Sequence, residues 1–242
     1  MTPKLSESTA NSPKTAHTHY RSLANLNLYD SPALARLATQ AAVGRSLYFT
    51  ATATIAAAQT TQPALEVCLC EDDYRGWLAV SDLAYLTIAN KPYQAIVLSE
   101  VEIKTRIHSA IAFAHAAMAQ PNEYLWGGTV APNYDCSGLM QAAFASVGIW
   151  LPRDAYQQEA FTQAIAPSEL LPGDLVFFGS PVKATHVGLY LGESSYIHSS
   201  GKDQGRNGIG IDRLSSEGDR ISQTYCAQLR GAGRVVACYQ PQ

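Results

Sequence analysis

The sequence predicts an α+β chain in which a small β-rich unit precedes a helix-then-strands unit. Three features carry this expectation. First, Ala64–Cys70 alternates in strand fashion, a polar turn follows at Glu71–Gly76, and Trp77–Val80 reads as a second strand. Residues 21–90 are therefore expected to form a small β-barrel. Second, Ser99 and Glu102 stand at capping-box spacing ahead of Ile103, Ile107, Ile111, Ala114 and Met118, one apolar face of a helix that Pro121 and Asn122 end. Third, a helix carrying Leu139, Ala143 and Val147 is followed by strand patterns at Pro172–Phe178, His186–Leu191 and Ser195–His198. A helix followed by strands in succession is α+β, not alternating βαβ.

The remaining organisation follows from composition. The 242 residues are 47% hydrophobic and 15% charged, enough apolar material for a sizeable core. A net charge of −3 and a pI near 6.0 give no electrostatic case for a nucleic-acid or anionic-membrane partner. Residues 1–20 read as a flexible leader without the apolar stretch of a signal peptide. Ala51–Ala58 is too short and polar to span a bilayer, and the surrounding Ala- and Thr-rich run, Thr50–Thr61, fits strand or loop. A cytoplasmic location is the resulting expectation. Residues 91–99 read as a linker and 100–242 as the second unit.

Five cysteines, an odd count with no CxxC pair, argue against a disulfide framework or a zinc site. Cys68 and Cys70 share one strand face, and they, Cys226 and Cys238 read as structural. His108 and His115 are seven apart on their helix and do not make a metal pair; His17 and His19 fall in the leader. Gly205–Gly210 lacks the Lys-Ser/Thr ending of a phosphate loop and reads as a long turn. Arg230–Arg234 reads as a hairpin turn before a last strand.

Cys136 follows Asp135 at a helix start. Free N–H groups there favour a thiolate and can hold an oxyanion during acyl transfer. A thiol is mostly protonated at pH 7, so an imidazole base is needed. His186 and His198, on successive strands, can stand side by side, one as base and one as its orienting partner. Taken alone, a cysteine at a helix start is more often structural than reactive; the words around it decide.

Those words are Tyr124-Leu-Trp-Gly-Gly128, Asp135-Cys-Ser-Gly-Leu139, Leu151-Pro-Arg-Asp154, Pro172–Phe178, Thr185–Tyr190 and Tyr196-Ile-His-Ser199. In this order, over residues 100–236, they resemble the NlpC-type bacterial cell-wall cysteine peptidases, and Glu71–Val80 resembles a bacterial SH3-like domain. The resemblance implies a papain-like fold without metal or organic cofactor. It implies hydrolysis of the γ-D-glutamyl–diamino acid bond, with meso-diaminopimelate the usual diamino acid, in peptidoglycan stem peptides. It implies Cys136 as nucleophile, His186 as base and His198 as third member. Tyr124 would join the Cys136 N–H in holding the oxyanion. Asp135, Ser137 and Trp126 would line the acyl side, and Arg153 and Asp154 would contact substrate or brace the site.

Carboxylates beside an aromatic in Glu71–Trp77 suit an ammonium group. Tyr74 with Asp73 or Glu71 is therefore expected to reach the cleft near Asp135 and select the free amine of an L-Ala-γ-D-Glu-diamino acid peptide, as in cell-wall peptide recycling. Two other readings stand beside this one: a wall-lytic hydrolase of intact sacculus, and an SH3-like peptide-binding module with a non-catalytic C-terminal half. Resolution of a thioester by an amine, giving acyl transfer, also remains open.

Overall fold

Alternating buried and exposed residues set the strands of the first half. Leu26, Leu28, Ala41, Leu47, Val67, Leu69 and Leu78 point inward from five strands and form one apolar cluster. The computed structural model describes residues 17–50 and 63–242. The proposed leader up to residue 16, and Ala51–Ala58 with most of the run after Thr50, lie outside the described residues.

Among the described residues, seven strands make up this unit: β1 His19–Ser22, β2 Leu26–Tyr29, β3 Leu37–Ala41, β4 Ser46–Phe49, β5 Ala64–Leu69, β6 Arg75–Ala79 and β7 Leu86–Ile88. They form one antiparallel sheet in the order β3-β2-β6-β5-β4-β1-β7. One correction falls at its start. His19 and Tyr20 belong to β1 rather than to a leader. His17 stacks on Tyr48 at 4.6 Å, and His19 Nδ1 accepts the Tyr93 N–H at 3.0 Å.

The second half opens with α1, Glu100–Met118, whose capping box is present: the Ser99 N–H donates to Glu102 Oε2 at 2.8 Å and the Glu102 N–H to Ser99 Oγ at 3.3 Å. Ile103, Ile107, Ile111, Ala114 and Met118 all pack on the main core. Then come β8 Thr129–Val130, β9 Asn133–Tyr134, α2 Cys136–Ala145, α3 Ala155–Phe161, β10 Gln163–Ile165, β11 Leu175–Gly179, β12 Ala184–Gly192, β13 Ser195–Ser200, β14 Gly208–Arg213, α4 Arg220–Ala227 and β15 Leu229–Arg234.

Six of these strands form an antiparallel sheet, β10-β15-β11-β12-β13-β14. Period-two alternation divides β11 between two layers. Leu175 and Phe177 join the core with α1 and α2, whereas Val176 and Phe178 pack with Tyr196, Tyr225 and Ala232 on the other side. Two loop expectations are corrected here. Residues 230–234 are a strand between β10 and β11, because Arg230 and Arg234 turn their guanidinium groups to Glu159 and Asp174 at the surface while Ala232 packs inward. Residues 208–210 are the start of β14, paired with Ser200, Ser199 and His198.

The two halves meet through buried polar contacts. Thr129 Oγ1 donates to the Gln40 carbonyl at 2.8 Å, Arg153 Nε to Thr39 Oγ1 at 2.9 Å, and Gln141 Nε2 to Asp72 Oδ2 at 2.8 Å. Arg45 lies over the Trp150 ring at 4.6 Å. The first half thus packs as a wall against the second. No helix among the described residues is long and apolar enough to cross a membrane.

Candidate active site

Asp135 caps α2, its Oδ1 accepting the Gly138 N–H at 2.7 Å, and this fixes Cys136 as the first helical residue. Gly138 is required here. A Cβ on it would meet the Gly128 carbonyl oxygen at 2.0 Å, so only glycine lets the 124–128 loop close over the first turn of α2.

The cleft around Cys136 encloses about 600 Å³. The second half contributes Tyr124, Trp126, Asp135, Ser137, Arg153, Asp154, Tyr156 and Lys183; the first half contributes Asp30, Arg36, Ala38 and Tyr74. Cys136 is buried, and burial together with the Asp135 charge pushes its thiol up to about 12. The N–H groups of Val187 and Ser137, and Arg153, pull the other way. A helix start therefore does not yield a resting thiolate here. The thiol stays protonated, and attack by it would need a base.

The candidate base is His186. Val187, whose N–H faces the Cys136 sulfur, follows His186 in β12. His186 stacks on Tyr225 with ring centroids 4.4 Å apart. Its Nε2 lies 2.6 Å from His198 Nδ1, and His198 Nε2 lies 2.6 Å from Asp212 Oδ2. Burial, then the neighbouring His198, holds His186 well below the ordinary imidazole range. Burial also lowers His198, with Asp212 opposing in part. Both rings are neutral at pH 7, the form a general base must take. Tyr124 is kept protonated by burial and by the nearby Cys136 and Asp135 charges, so its hydroxyl is available as a donor.

The expected substrate contacts separate into two groups. Arg153 is 1% exposed and spent on bracing. Its Nη2 donates to Asp135 Oδ2 at 2.6 Å, and its Nη1 to Asp135 Oδ1 at 3.1 Å and to Ser137 Oγ at 2.9 Å. Asp135 also accepts the Gly127 N–H, so its acceptor positions are occupied within the protein. Asp154 stands at the N-cap of α3, takes part in no ion pair among the described residues, and is raised by burial. Trp126 is 58% exposed at the rim beneath Arg36.

The Glu71–Tyr74 turn is corrected in part. Tyr74 lines the cleft as expected, but neither Glu71 nor Asp73 does. Glu71 is buried against Arg45 Nε at 2.9 Å and the Ser46 N–H at 2.7 Å. Asp73, at φ 56°, turns away to the Tyr239 hydroxyl and the Gln242 N–H. The physical reason is Arg45: a buried guanidinium needs carboxylates, and it takes Glu71 and Asp72. The carboxylate nearest Tyr74 in effect is Asp154, the largest charge acting on its hydroxyl, which burial chiefly pushes up to about 12. Asp72, Asp212, Arg206 and Tyr225 did not stand out in the sequence.

A cysteine at a helix N-terminus, with a hydrogen-bonded histidine pair on the sheet beside it, is the arrangement expected of a papain-like cysteine hydrolase. Residues 121–229 match the NlpC/P60 family and residues 28–83 the bacterial dipeptidyl-peptidase Sh3 domain. The chain thus carries an NlpC/P60 domain preceded by a bacterial SH3 domain.

Similar curated proteins include the probable endopeptidase p60 of Listeria monocytogenes, 39% identical over 112 residues, 46% of this chain and 21% of that protein. The bifunctional muramidase/DL-endopeptidase CwlT of Bacillus subtilis is 44% identical over 81 residues, 32% of this chain and 25% of that protein. The chain thus spans a quarter or less of these relatives' length. An NlpC/P60 family protein from Bacillus cereus has a solved structure with TM-score 0.44 and 22% identity, covering 92% of this chain and 65% of that one.

Proposed function

We propose that the chain is a cysteine endopeptidase that hydrolyses the γ-D-glutamyl–diamino acid bond of short peptidoglycan stem peptides bearing a free N-terminal L-Ala. The observation that carries this reading is one cleft in which Cys136, backed by His186 and His198, faces Tyr74 from the other half of the chain. B. subtilis relatives are named a DL-endopeptidase and a gamma-DL-glutamyl hydrolase, the latter 42% identical over 32% of this chain and 20% of its own length.

In this mechanism His186 takes the Cys136 proton as sulfur attacks the γ-carbonyl carbon. The oxyanion is held by the Cys136 N–H and the Tyr124 hydroxyl. The imidazolium returns the proton to the departing amine as the C–N bond breaks. Water, deprotonated by the same ring, then attacks the thioester, releasing the glutamyl carboxylate and regenerating the thiol.

The free-amine preference rests on Tyr74 and Asp154. Both line the cleft that holds Cys136, and there the L-Ala ammonium would meet the Asp154 carboxylate. A carboxylate beside the nucleophile favours released peptides with a free amine, as in recycling, over lysis of intact wall.

The experiment compares L-Ala-γ-D-Glu-meso-diaminopimelate, its N-acetylated form and whole sacculi. The wild type is expected to favour the free amine by on the order of 10²-fold or more in kcat/KM. Tyr74→Phe with Asp154→Asn should bring that ratio to within about tenfold, because the charged partner of the ammonium is gone. Equal cleavage of the acetylated peptide, or cleavage of sacculi by the wild type, would sink the recycling assignment.

A further inference from the structure

We propose that Asp212, clamped by Arg206, is a positioning residue that sets the proton tautomers of His198 and, through it, of His186. The proposal rests on the reading of Cys136 and His186 as nucleophile and base.

Asp212 is ionised: the hydrogen bonds from His198 and Arg206 outweigh burial and keep its carboxyl below the ordinary range. A carboxylate accepts only, so His198 must carry its proton on Nε2, 2.6 Å from Asp212 Oδ2. His198 Nδ1 is then a bare lone pair. His186 Nε2, 2.6 Å from it, must be the donor. The lone pair left on His186 is at Nδ1, free to take the thiol proton of Cys136. Reversing the first tautomer reverses each one after it and leaves Nδ1 of His186 protonated, with no base for sulfur.

Arg206 fixes the carboxylate that starts this order. Its Nε donates to Asp212 Oδ2 at 3.1 Å and its Nη2 to Oδ1. It reaches there across β14 at Gly210, where a Cβ would meet Arg206 Nη1 at 2.1 Å. Gly210 pairs with His198, so the glycine directly opposite the third histidine is the one that admits the guanidinium. The segment 205–210, which reads as a long turn in sequence, thus supplies both Arg206 and the glycine that admits it. The other groups facing the His198 ring are His186, Tyr196 at 4.8 Å and Tyr225 at 4.9 Å. Tyr225 pairs its hydroxyl with Ser200 at 2.7 Å. None of these supplies a second carboxylate.

Long-range ¹H–¹⁵N spectra of histidine-labelled wild-type protein test the order without any variant. Protons on Nε2 of both His186 and His198 are expected; a neutral His186 protonated on Nδ1 would overturn the proposal.

The variant Asp212→Asn tests its consequence. The closer of the two Arg206 contacts, Nη2 at the Oδ1 position, holds the Asn oxygen, so the amide NH₂ takes the Oδ2 position facing His198 and forces the wrong tautomer. A fall in kcat on the order of 10³–10⁴ is expected, with KM within about threefold, as for the analogous substitution in the serine-protease triad. Adding Arg206→Met frees the Asn oxygen to turn to His198 and should restore at least about tenfold. A structural role predicts the opposite, since the double variant loses two contacts. Unchanged kcat in Asp212→Asn, or no restoration in the double variant, refutes the assignment. Iodoacetamide labelling of Cys136, followed by peptide mass spectrometry, should show the same loss and recovery. It needs no substrate, so an error about the peptide leaves this test standing.

Discussion

Replacing His186 by Ala is expected to lower kcat/KM by roughly 10⁴–10⁶, the range seen when one member of a nucleophile–base unit is removed. The magnitude follows from the state of Cys136. Were the thiol a stable thiolate, losing the base would cost only the later proton transfers. Its acidity is instead suppressed to about 12 by burial and Asp135, so attack itself needs the imidazole. Product dipeptide should still bind the variant, because Tyr74, Ser137 and Asp154 are untouched. A loss of less than tenfold in steady-state kinetics would show that His186 is not the base.

The same burial sets the pH behaviour. His186 is held well below 6.5 when folded, so its base form, and with it kcat/KM, persists below pH 6.5 and falls only as the folded value is crossed. Stability takes the same sign. A group whose folded value is depressed below 6.5 binds protons more readily unfolded. Its contribution is complete above pH 6.5 and is lost as pH falls from there through the folded value.

Replacing Arg153 by Met is expected to destabilise the protein by about 3–5 kcal/mol, because it strands the Asp135 carboxylate in a buried site. In a chain of this size each kcal/mol lowers Tm by roughly 2–4 °C. The guanidinium makes hydrogen bonds to Asp135, Ser137 and, in the first half, Thr39. Its loss therefore loosens the nucleophile helix and the wall between the two halves together. Adding Asp135→Asn removes the stranded charge while keeping a capping oxygen for Gly138, and part of the lost stability should return. Thermal unfolding of the three proteins checks this. A change under about 1 kcal/mol for Arg153→Met would mean that the buried pair is not what holds α2 in place.

Cys136, His186 and His198 were legible because each lies in a short word whose local structure can be read: a capped helix start and two alternating strands. The α1 face from Ile103 to Met118 was legible for the same reason, since 3.6-residue periodicity is local. What escaped was set by pairing between distant segments. Asp212 lies in a strand of ordinary composition, and only the register that places Gly210 opposite His198 brings its carboxylate to the second imidazole. Arg230–Arg234 looked like a turn because of its glycines, yet pairing on both sides makes it a central strand.

The Glu71–Tyr74 turn shows a different limit. Its three carboxylates are indistinguishable in sequence. Arg45, 26 residues before Glu71 and 27 before Asp72, claims two of them and leaves Tyr74 to the cleft without an acidic neighbour from its own turn. Asp154, which fills that place, comes from the other half of the chain.

The proposed role of Cys136 as the nucleophile of a γ-D-glutamyl endopeptidase is tested by mass spectrometry of the products after L-Ala-γ-D-Glu-meso-diaminopimelate is incubated with the wild type and with Cys136→Ala. The wild type should release L-Ala-D-Glu and free diaminopimelate, and the variant neither. Intact tripeptide with the folded wild type, or equal release by the variant, would contradict it.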